Sequence, residues 1–262
     1  MTQDPAVNFD EQALQEVRES RLLIDKYDDW LFDELRPFLG QRVLEIGCGL
    51  GNHFEHLLDR QLLLGFDISV ESVAAVRRRF CGRSNVRVEC LSITDPAVLA
   101  LADEHLDTAL SVNVFEHIED DLLALRHTFQ LLQPGGRFIL VVPAHQSLYG
   151  PMDTSIGHYR RYSKPMLRAR MEEAGFEVLT ASYLNMLGAA GWWVNGKLLR
   201  RSVPPRGQLR LLNRIIPFVR GFESLVRAPF GVSLLMVGRK PLGGGPRTED
   251  ARQRSEDRSL KA

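Results

Sequence analysis

Cysteine is scarce: the 262 residues hold only three, at positions 48, 81 and 90. Their number is odd and they lack metal-site spacing, so neither a disulfide scaffold nor a zinc site is expected, and reduced thiols in a cytoplasmic setting are. Net charge is absent too, with 33 Lys and Arg against 33 Asp and Glu, which removes any global electrostatic argument for nucleic acid. No apolar run reaches the about 18 residues of a membrane-spanning helix. The opening Met1-Thr-Gln-Asp-Pro-Ala6 has neither the basic start nor the apolar core of a signal peptide. What remains, 44% hydrophobic and 25% charged residues, is an ordinary globular composition. A chain of this length buries a sizeable core.

The run Arg42-Val-Leu-Glu-Ile-Gly-Cys-Gly-Leu-Gly51 stands out against that background. Val43, Leu44 and Ile46 form a short apolar strand, and the glycines that follow let backbone turn sharply and approach a ligand that a Cβ would block. A helix expected from Asn52 would aim its free N–H groups at the same space. Strand, glycine loop and helix together read as a site for a nucleotide-like cofactor. A dinucleotide site wants G-x-G-x-x-G, whereas this loop is G-x-G-x-G with Asn at position 52. Glu45, two residues before the first glycine, would repel a pyrophosphate. It suits a cofactor with a cationic amino-acid end and no phosphate, which favours S-adenosylmethionine (SAM) over NAD.

Further motifs follow in order: Gln61-Leu-Leu-Leu-Gly-Phe-Asp67, an apolar strand ending in an acid; Ser111-Val-Asn-Val-Phe-Glu-His-Ile118; and Leu132-Gln-Pro-Gly-Gly-Arg-Phe138. With the glycine loop they resemble the class I SAM-dependent methyltransferases over about residues 41–176. The resemblance implies a doubly wound, mainly parallel α/β sheet of seven strands, Rossmann-like, with N-terminal lid helices and a helical insertion before the last strand. It also implies a cofactor-binding set. Gly47, Cys48, Gly49 and Gly51 would pass beneath the methionine moiety, with Glu45 toward its ammonium. Asp67 would take the ribose hydroxyls and Ile68 one adenine face. Ser92 and Ile93 stand where relatives place an adenine-binding acid, and Asn113 closes strand four beside the methyl. Tyr27 and Trp30 would touch the methionine end if the first helix is a lid; the other reading is a helix packed on the sheet edge.

Apolar runs near 42–46, 62–66, 86–90, 107–112 and 136–142 alternate with helical stretches near 52–60, 69–80, 96–102 and 119–132. That alternation implies right-handed crossovers and a sheet covered on both faces. Leu22, Leu23, Tyr27, Trp30, Leu31 and Leu35 recur at helical steps before Gly40. Ser163 reads as the N-cap of a helix that Gly175 ends, with strands over 176–183 and 232–239 after it. The expected division is an N-terminal helical lid over 1–40, a core over 41–183, a basic helical insertion over 184–230, the last strand over 231–240 and a disordered tail over 241–262. From Lys197 to Lys240 there are ten Lys or Arg and a single acid, Glu223. Interleaved with Leu, Ile, Phe and Trp, that composition reads as a helical cap with a solvated basic face, as a peripheral contact with the inner face of a membrane, or as a nucleic-acid surface.

On the acceptor side, His117 follows Glu116 where it could take a proton from a hydroxyl or amine, or simply begin the next helix. Asn113, Glu116 and His117 have i, i+3, i+4 spacing, and a similar Glu-His pair holds a divalent ion in ubiquinone-type O-methyltransferases. Asn replaces a carboxylate of that pattern, so no metal is expected. The long loop from Pro143 to Tyr162 leaves strand five at the ligand-binding end of such a sheet. It supplies His145, Tyr149, His158, Arg160, Arg161 and Tyr162 as substrate-binding candidates, with His117, Tyr149 and His158 as catalytic ones. The Arg pair either clamps an anionic group or pins the loop. Gly157-His-Tyr-Arg-Arg-Tyr-Ser163, Trp192-Trp-Val-Asn-Gly196 and Pro229-Phe-Gly231 resemble a bacterial subgroup found with sugar- and polyprenyl-phosphate-handling enzymes. The expectation is methyl transfer to a small molecule, anionic or lipid-linked. An NAD-dependent oxidoreductase, a nucleic-acid methyltransferase and a SAM-binding partner subunit are the alternatives. The segment after strand four, Asn113-Val-Phe-Glu116, lacks the double proline of the amino-methylating nucleic-acid enzymes.

Overall fold

The computed structural model describes residues 25–201, 205–226 and 228–243. Seven strands form one sheet: β1 (Arg42–Ile46), β2 (Leu62–Asp67), β3 (Val86–Cys90), β4 (Leu106–Val112), β5 (Leu132–Pro143), β6 (Glu177–Leu184) and β7 (Ser233–Arg239). Their order is β3-β2-β1-β4-β5-β7-β6. The first five are parallel, and β7 runs antiparallel between β5 and β6. The chain winds outward from β1 to β3 and then resumes on the other side with β4. The order therefore reverses between β1 and β4, and the crevice at the carboxyl ends of those two strands is the place for a ligand.

Alternation along β1 shows why these strands read as continuous apolar runs. Leu44 and Ile46 join a buried cluster with Phe115, Phe138 and Met236 on one face, and Val43 joins Phe32, Phe54 and Leu110 on the other. A sheet covered on both sides needs apolar residues at every position of its central strands. The helices that cover it are α1 (Asp25–Leu35), α2 (Val70–Arg79), α3 (Asp121–Leu131), α4 (Pro151–Ser155), α5 (Lys164–Glu173), α6 (Met186–Trp193) and α7 (Arg206–Val226). Ser69 caps α2 by accepting from Ser72 N–H, and Ser163 caps α5 by accepting from Met166 N–H.

Two expected helices are not α-helical. Residues 52–60 contain only a 3₁₀ turn, His53–His56, and the 96–102 stretch is a 3₁₀ run, Pro96–Glu104. In the first, Gly51 N–H donates to Cys48 O, Phe54 N–H to Gly51 O and Leu57 N–H to Phe54 O. These i→i−3 closures take the place of an i→i−4 ladder, so the α-helix expected from Asn52 does not form. Phe54 is instead driven under β2, where a Cβ on Gly65 would lie 2.6 Å from the Phe54 ring.

Of the expected first helix, Asp25–Leu35 is helical and Leu22 and Leu23 lie outside the described residues. Tyr27 and Trp30 are buried in the cluster that holds Val43, Leu110 and Ile139. The Tyr27 hydroxyl shares a 2.9 Å hydrogen bond with Ser233, and Trp30 Nε1 donates to Glu34. Both rings pack against the sheet, as in the reading of a helix laid on it, and residues 1–24 of the expected lid lie outside the described residues. Large aromatics gain most when an adjacent layer covers them, and α7 supplies it. Asn213 bonds Lys26 N–H and Asp25, and Arg220 pairs with Asp33 at 2.7 Å. The 184–230 segment contains α6, a π turn over Val194–Leu198, and α7, while the expected tail lies outside the described residues from 244 onward. No helix among the described residues is long and apolar enough to cross a membrane.

Candidate active site

The glycine loop crosses the carboxyl end of β1 with its backbone tied to β2: Gly47 and Cys48 N–H both donate to Phe66 O. Its glycines differ in what they permit. A Cβ at Gly47 would lie 2.4 Å from the Val114 side chain, whereas one at Gly49, where φ is +52°, would meet nothing within 4 Å. Position 49 therefore borders open space beside the loop, a cradle that a side chain would fill. Gly49 N–H donates to Asp67 Oδ2 at 2.8 Å and Ser69 N–H to Asp67 Oδ1 at 2.9 Å. Each Asp67 oxygen keeps an acceptor site for a ligand hydroxyl. Ile68 beside it is 76% exposed, an uncovered apolar surface at the tip of β2.

Glu45 is buried at the end of β1. Its Oε1 accepts from His53 Nδ1 at 2.6 Å, and its Oε2 has no hydrogen-bond partner among the described residues. A buried carboxylate oxygen left without a donor is costly, and a ligand ammonium would satisfy it. The orphaned oxygen, the open cradle at Gly49 and the acid at β2 fit a cofactor with an ammonium, a ribose and no phosphate. Cys48 does not join them. Its side chain is buried against Gly65, and its thiol is pushed far above the ordinary value by burial, then by Glu45 and Asp67. Ile93 turns its side chain into the core and its carbonyl accepts from His127 at 2.7 Å, while Ser92 Oγ is paired with Thr94. Ser92 at this corner is half-buried. Asn113 ends β4 in the left-handed region, φ +53°, a conformation asparagine tolerates.

Across the crevice, the loop after β5 is stitched onto the 3₁₀ turn after β4, Phe115–His117. Tyr159 N–H donates to Glu116 O, Arg160 donates to Ile118 O and Glu119 O, and Tyr162 Oη donates to Phe115 O and Asp121. Arg161 is fully buried, with Nε donating to Asp153 Oδ1 at 2.8 Å and its guanidinium 4.5 Å from the Trp192 ring. Arg160, Arg161 and Tyr162 are thus pins of the loop, which corrects the expected anion clamp. Arg161 is buried away from any substrate phosphate, and the Arg160 guanidinium is turned to the Ile118 and Glu119 carbonyls.

The same folding assembles a cluster that no single motif contains. His158 Nδ1 donates to Asp153 Oδ1 at 2.8 Å, its Nε2 lies 3.7 Å from Glu116 Oε1, and its ring meets the edge of His117 with centroids 4.7 Å apart. Asp153 is held below the ordinary carboxylate range: burial raises it, but the His158 hydrogen bond and Arg161 together outweigh burial. An ionised Asp153 fixes a hydrogen on His158 Nδ1 and so sets the ring with Nε2 turned toward Glu116. Ligand atoms of Glu116, His117 and His158 all lie within 4.8 Å of one another, a spacing that would admit a divalent cation. Residues 115–117 form a 3₁₀ turn, so the i, i+3, i+4 face that Asn113, Glu116 and His117 would share on an α-helix does not exist. Asp153 and His53 escaped the sequence reading. The one legible signal was their placement near His158 and Glu45, five and eight residues away.

Tyr149 Oη donates to His158 O, which makes it a brace for that histidine. His145, with φ +61°, packs tilted on Tyr183 with ring centroids 4.6 Å apart, and its buried Nε2 has no hydrogen-bond partner among the described residues. Its imidazole is kept below its usual pKa by burial, then by Arg161 and Lys164, so it is neutral at physiological pH. It lines an open cleft of about 430 Å³ whose other walls include Leu148, Ala189, Trp193 and Phe230.

A family model described as a methyltransferase domain matches residues 15–181. A protein of Mycolicibacterium smegmatis described as "Probable S-adenosylmethionine-dependent methyltransferase" is 32% identical over 142 residues, 53% of this chain and 53% of that one. A ubiquinone biosynthesis O-methyltransferase of Ruegeria pomeroyi is 36% identical over 121 residues, 45% of this chain and 46% of that one. The chain spans about half the length of the curated relatives it matches. Among solved structures, a SAM-dependent methyltransferase from Mesorhizobium loti superposes with a TM-score of 0.55 at 16% identity, covering 80% of this chain and 98% of that one, a likeness of fold. A match over well more than half of the chain, on a sheet of this order, shows that the chain belongs to the class I SAM-dependent methyltransferase family.

Proposed function

We propose that the protein methylates a small acceptor, at an oxygen, nitrogen or carbon nucleophile, and that this acceptor carries an apolar portion. SAM supplies an electrophilic methyl on a sulfonium, and the protein's main task is to hold the nucleophile in line with it. Glu45 would hold the ammonium through Oε2, Asp67 the ribose hydroxyls and Ile68 a face of adenine, with Asn113 beside the methyl. The observation that carries the acceptor half is the Asp153–His158 pair beside Glu116. His158 Nε2 is oriented to take the acceptor's proton, and the buried Asp153 and Glu116 carboxylates would stabilise the imidazolium that forms. The cleft lined by Leu148, Trp193 and Phe230 would seat the apolar part, with His145 at its edge. The basic 184–230 segment would keep the enzyme next to a lipid-linked acceptor at the inner face of a membrane.

Calorimetric titration tests the cofactor: SAM should bind and NAD should not, and heat with NAD alone would sink the proposal. For the acceptor half, His158→Gln should lower turnover by about 10²-fold or more while leaving SAM affinity unchanged. Equal turnover in that variant would remove His158 as the base. Full activity in a metal chelator separates proton transfer to His158 from a cation shared by Glu116, His117 and His158.

A further inference from the structure

The helix α7 has two apolar faces, and the protein's own core uses only one. Ile216, Leu212 and Val219 pack inward with the cluster that holds α1. Glu223 is on that side too, buried, and its carboxylate accepts from Asn185 and Met186 N–H at the start of α6. Leu211, Phe218, Phe222 and Leu225 follow i, i+7, i+11, i+14 and so form a second stripe on one side of the helix. Their exposures are 60%, 79%, 55% and 84%. Large apolar side chains this exposed in a continuous row are not the scattered singles of an ordinary surface.

Charge says what covers the stripe. The helix carries Arg206, Arg210, Arg214 and Arg220 against one acid, Glu223, and that acid is on the buried side. By helical position Arg210 and Arg214 flank the stripe directly, and both are exposed. Arg220 is turned back to Asp33. The preceding turn repeats the composition, with Leu198 and Leu199 exposed between Lys197 and Arg200. An apolar stripe bordered by cations, with no acid on the exposed side, matches an anionic bilayer surface: leucine and phenylalanine enter the acyl boundary while the arginines meet headgroups. A second copy of the chain fits less well, because pairing two such faces would set like-charged arginine rows against each other.

We propose that the outer face of α7 docks the protein on anionic lipid, with Phe218 and Leu225 as the inserted side chains and Arg210 and Arg214 as the headgroup contacts. The proposal rests on reading the 184–230 segment as membrane-facing, and it is independent of which acceptor is methylated. The test is co-sedimentation of the full chain with phosphatidylcholine vesicles, with and without phosphatidylglycerol. Wild type should pellet with the phosphatidylglycerol vesicles, much less with phosphatidylcholine alone, and less as salt rises. Arg210→Gln and Arg214→Gln should each weaken binding roughly fivefold. Phe218→Ser with Leu225→Ser should weaken it at least about tenfold. These side chains lie in solvent, so circular dichroism and SAM titration should be unchanged, which keeps a failure here separate from a failure of the cofactor reading. Wild type staying in the supernatant with phosphatidylglycerol vesicles would overturn the proposal, as would a serine double variant that pellets like wild type. A dimer in light scattering that the serine variant abolishes would assign the stripe to a second copy and overturn it equally.

Discussion

Gly49→Ala separates the cost of a side chain to the fold from its cost to the ligand. In the folded protein a Cβ at position 49 meets no atom within 4 Å, so the substitution creates no clash. What it does cost is conformational: φ is +52°, and an L-residue there loses about 1–2 kcal/mol. The Gly49 N–H bond to Asp67 is retained, because the backbone donor is unchanged. Chemical denaturation should therefore show a loss of about 1–2 kcal/mol and a folded protein at room temperature. Ligand binding should suffer more. If SAM fills the open space at position 49, the new methyl overpacks that contact, and overpacking costs about 1–3 kcal/mol, or about 5- to 150-fold in Kd. Calorimetric titration with S-adenosylhomocysteine measures this directly. Gly47→Ala is the contrasting case, since its Cβ would be driven to 2.4 Å from Val114 and should damage folding first. An unchanged Kd in a folded Gly49→Ala protein would refute the placement of the cofactor over this loop.

The buried Arg161–Asp153–His158 chain gives a stability prediction. Arg161→Met leaves the Asp153 carboxylate buried without its guanidinium partner and should cost about 3–5 kcal/mol at neutral pH. Asp153 is depressed in the folded state, so its contribution is present above the unfolded value of about 4 and is lost as pH falls through its lowered pKa. The gap between wild type and variant in denaturant titrations should accordingly narrow in acid; a gap independent of pH would refute the pairing. The thiols provide a simpler check. Cys81 and Cys90 are exposed, and the buried Cys48 thiol is held far above its ordinary value, so a disulfide reagent should titrate two thiols promptly and the third only on unfolding. Three fast thiols would mean that the glycine loop opens in solution.

Strands were the most legible part of the molecule. Val43-Leu-Glu-Ile46 and Leu62–Phe66 announce themselves because a central strand must be apolar toward both layers. The helix after β1 was misread for a related reason. Its residues have a helical pattern, but Phe54 gains more by filling the space under Gly65 than by sitting on an α-helix, and that depends on a strand ten residues further on. Arg160 and Arg161 show the same limit at the site. Neighbouring guanidiniums in a long loop look like a clamp until their partners, Ile118, Glu119 and Asp153, are known.

By itself, then, the sequence determined the architecture and the kind of cofactor. Glu45, the glycine spacing and Asp67 lie within one short stretch from β1 to the end of β2, where local geometry and charge decide what can bind. Only the tertiary structure decided which of the loop's polar residues face the crevice. His158 is brought to Glu116 by a loop that returns across the sheet from β5, and Asp153 orients it from α4. Such contacts arise from burial and hydrogen-bond closure between segments some forty residues apart, and no periodicity in the chain encodes them.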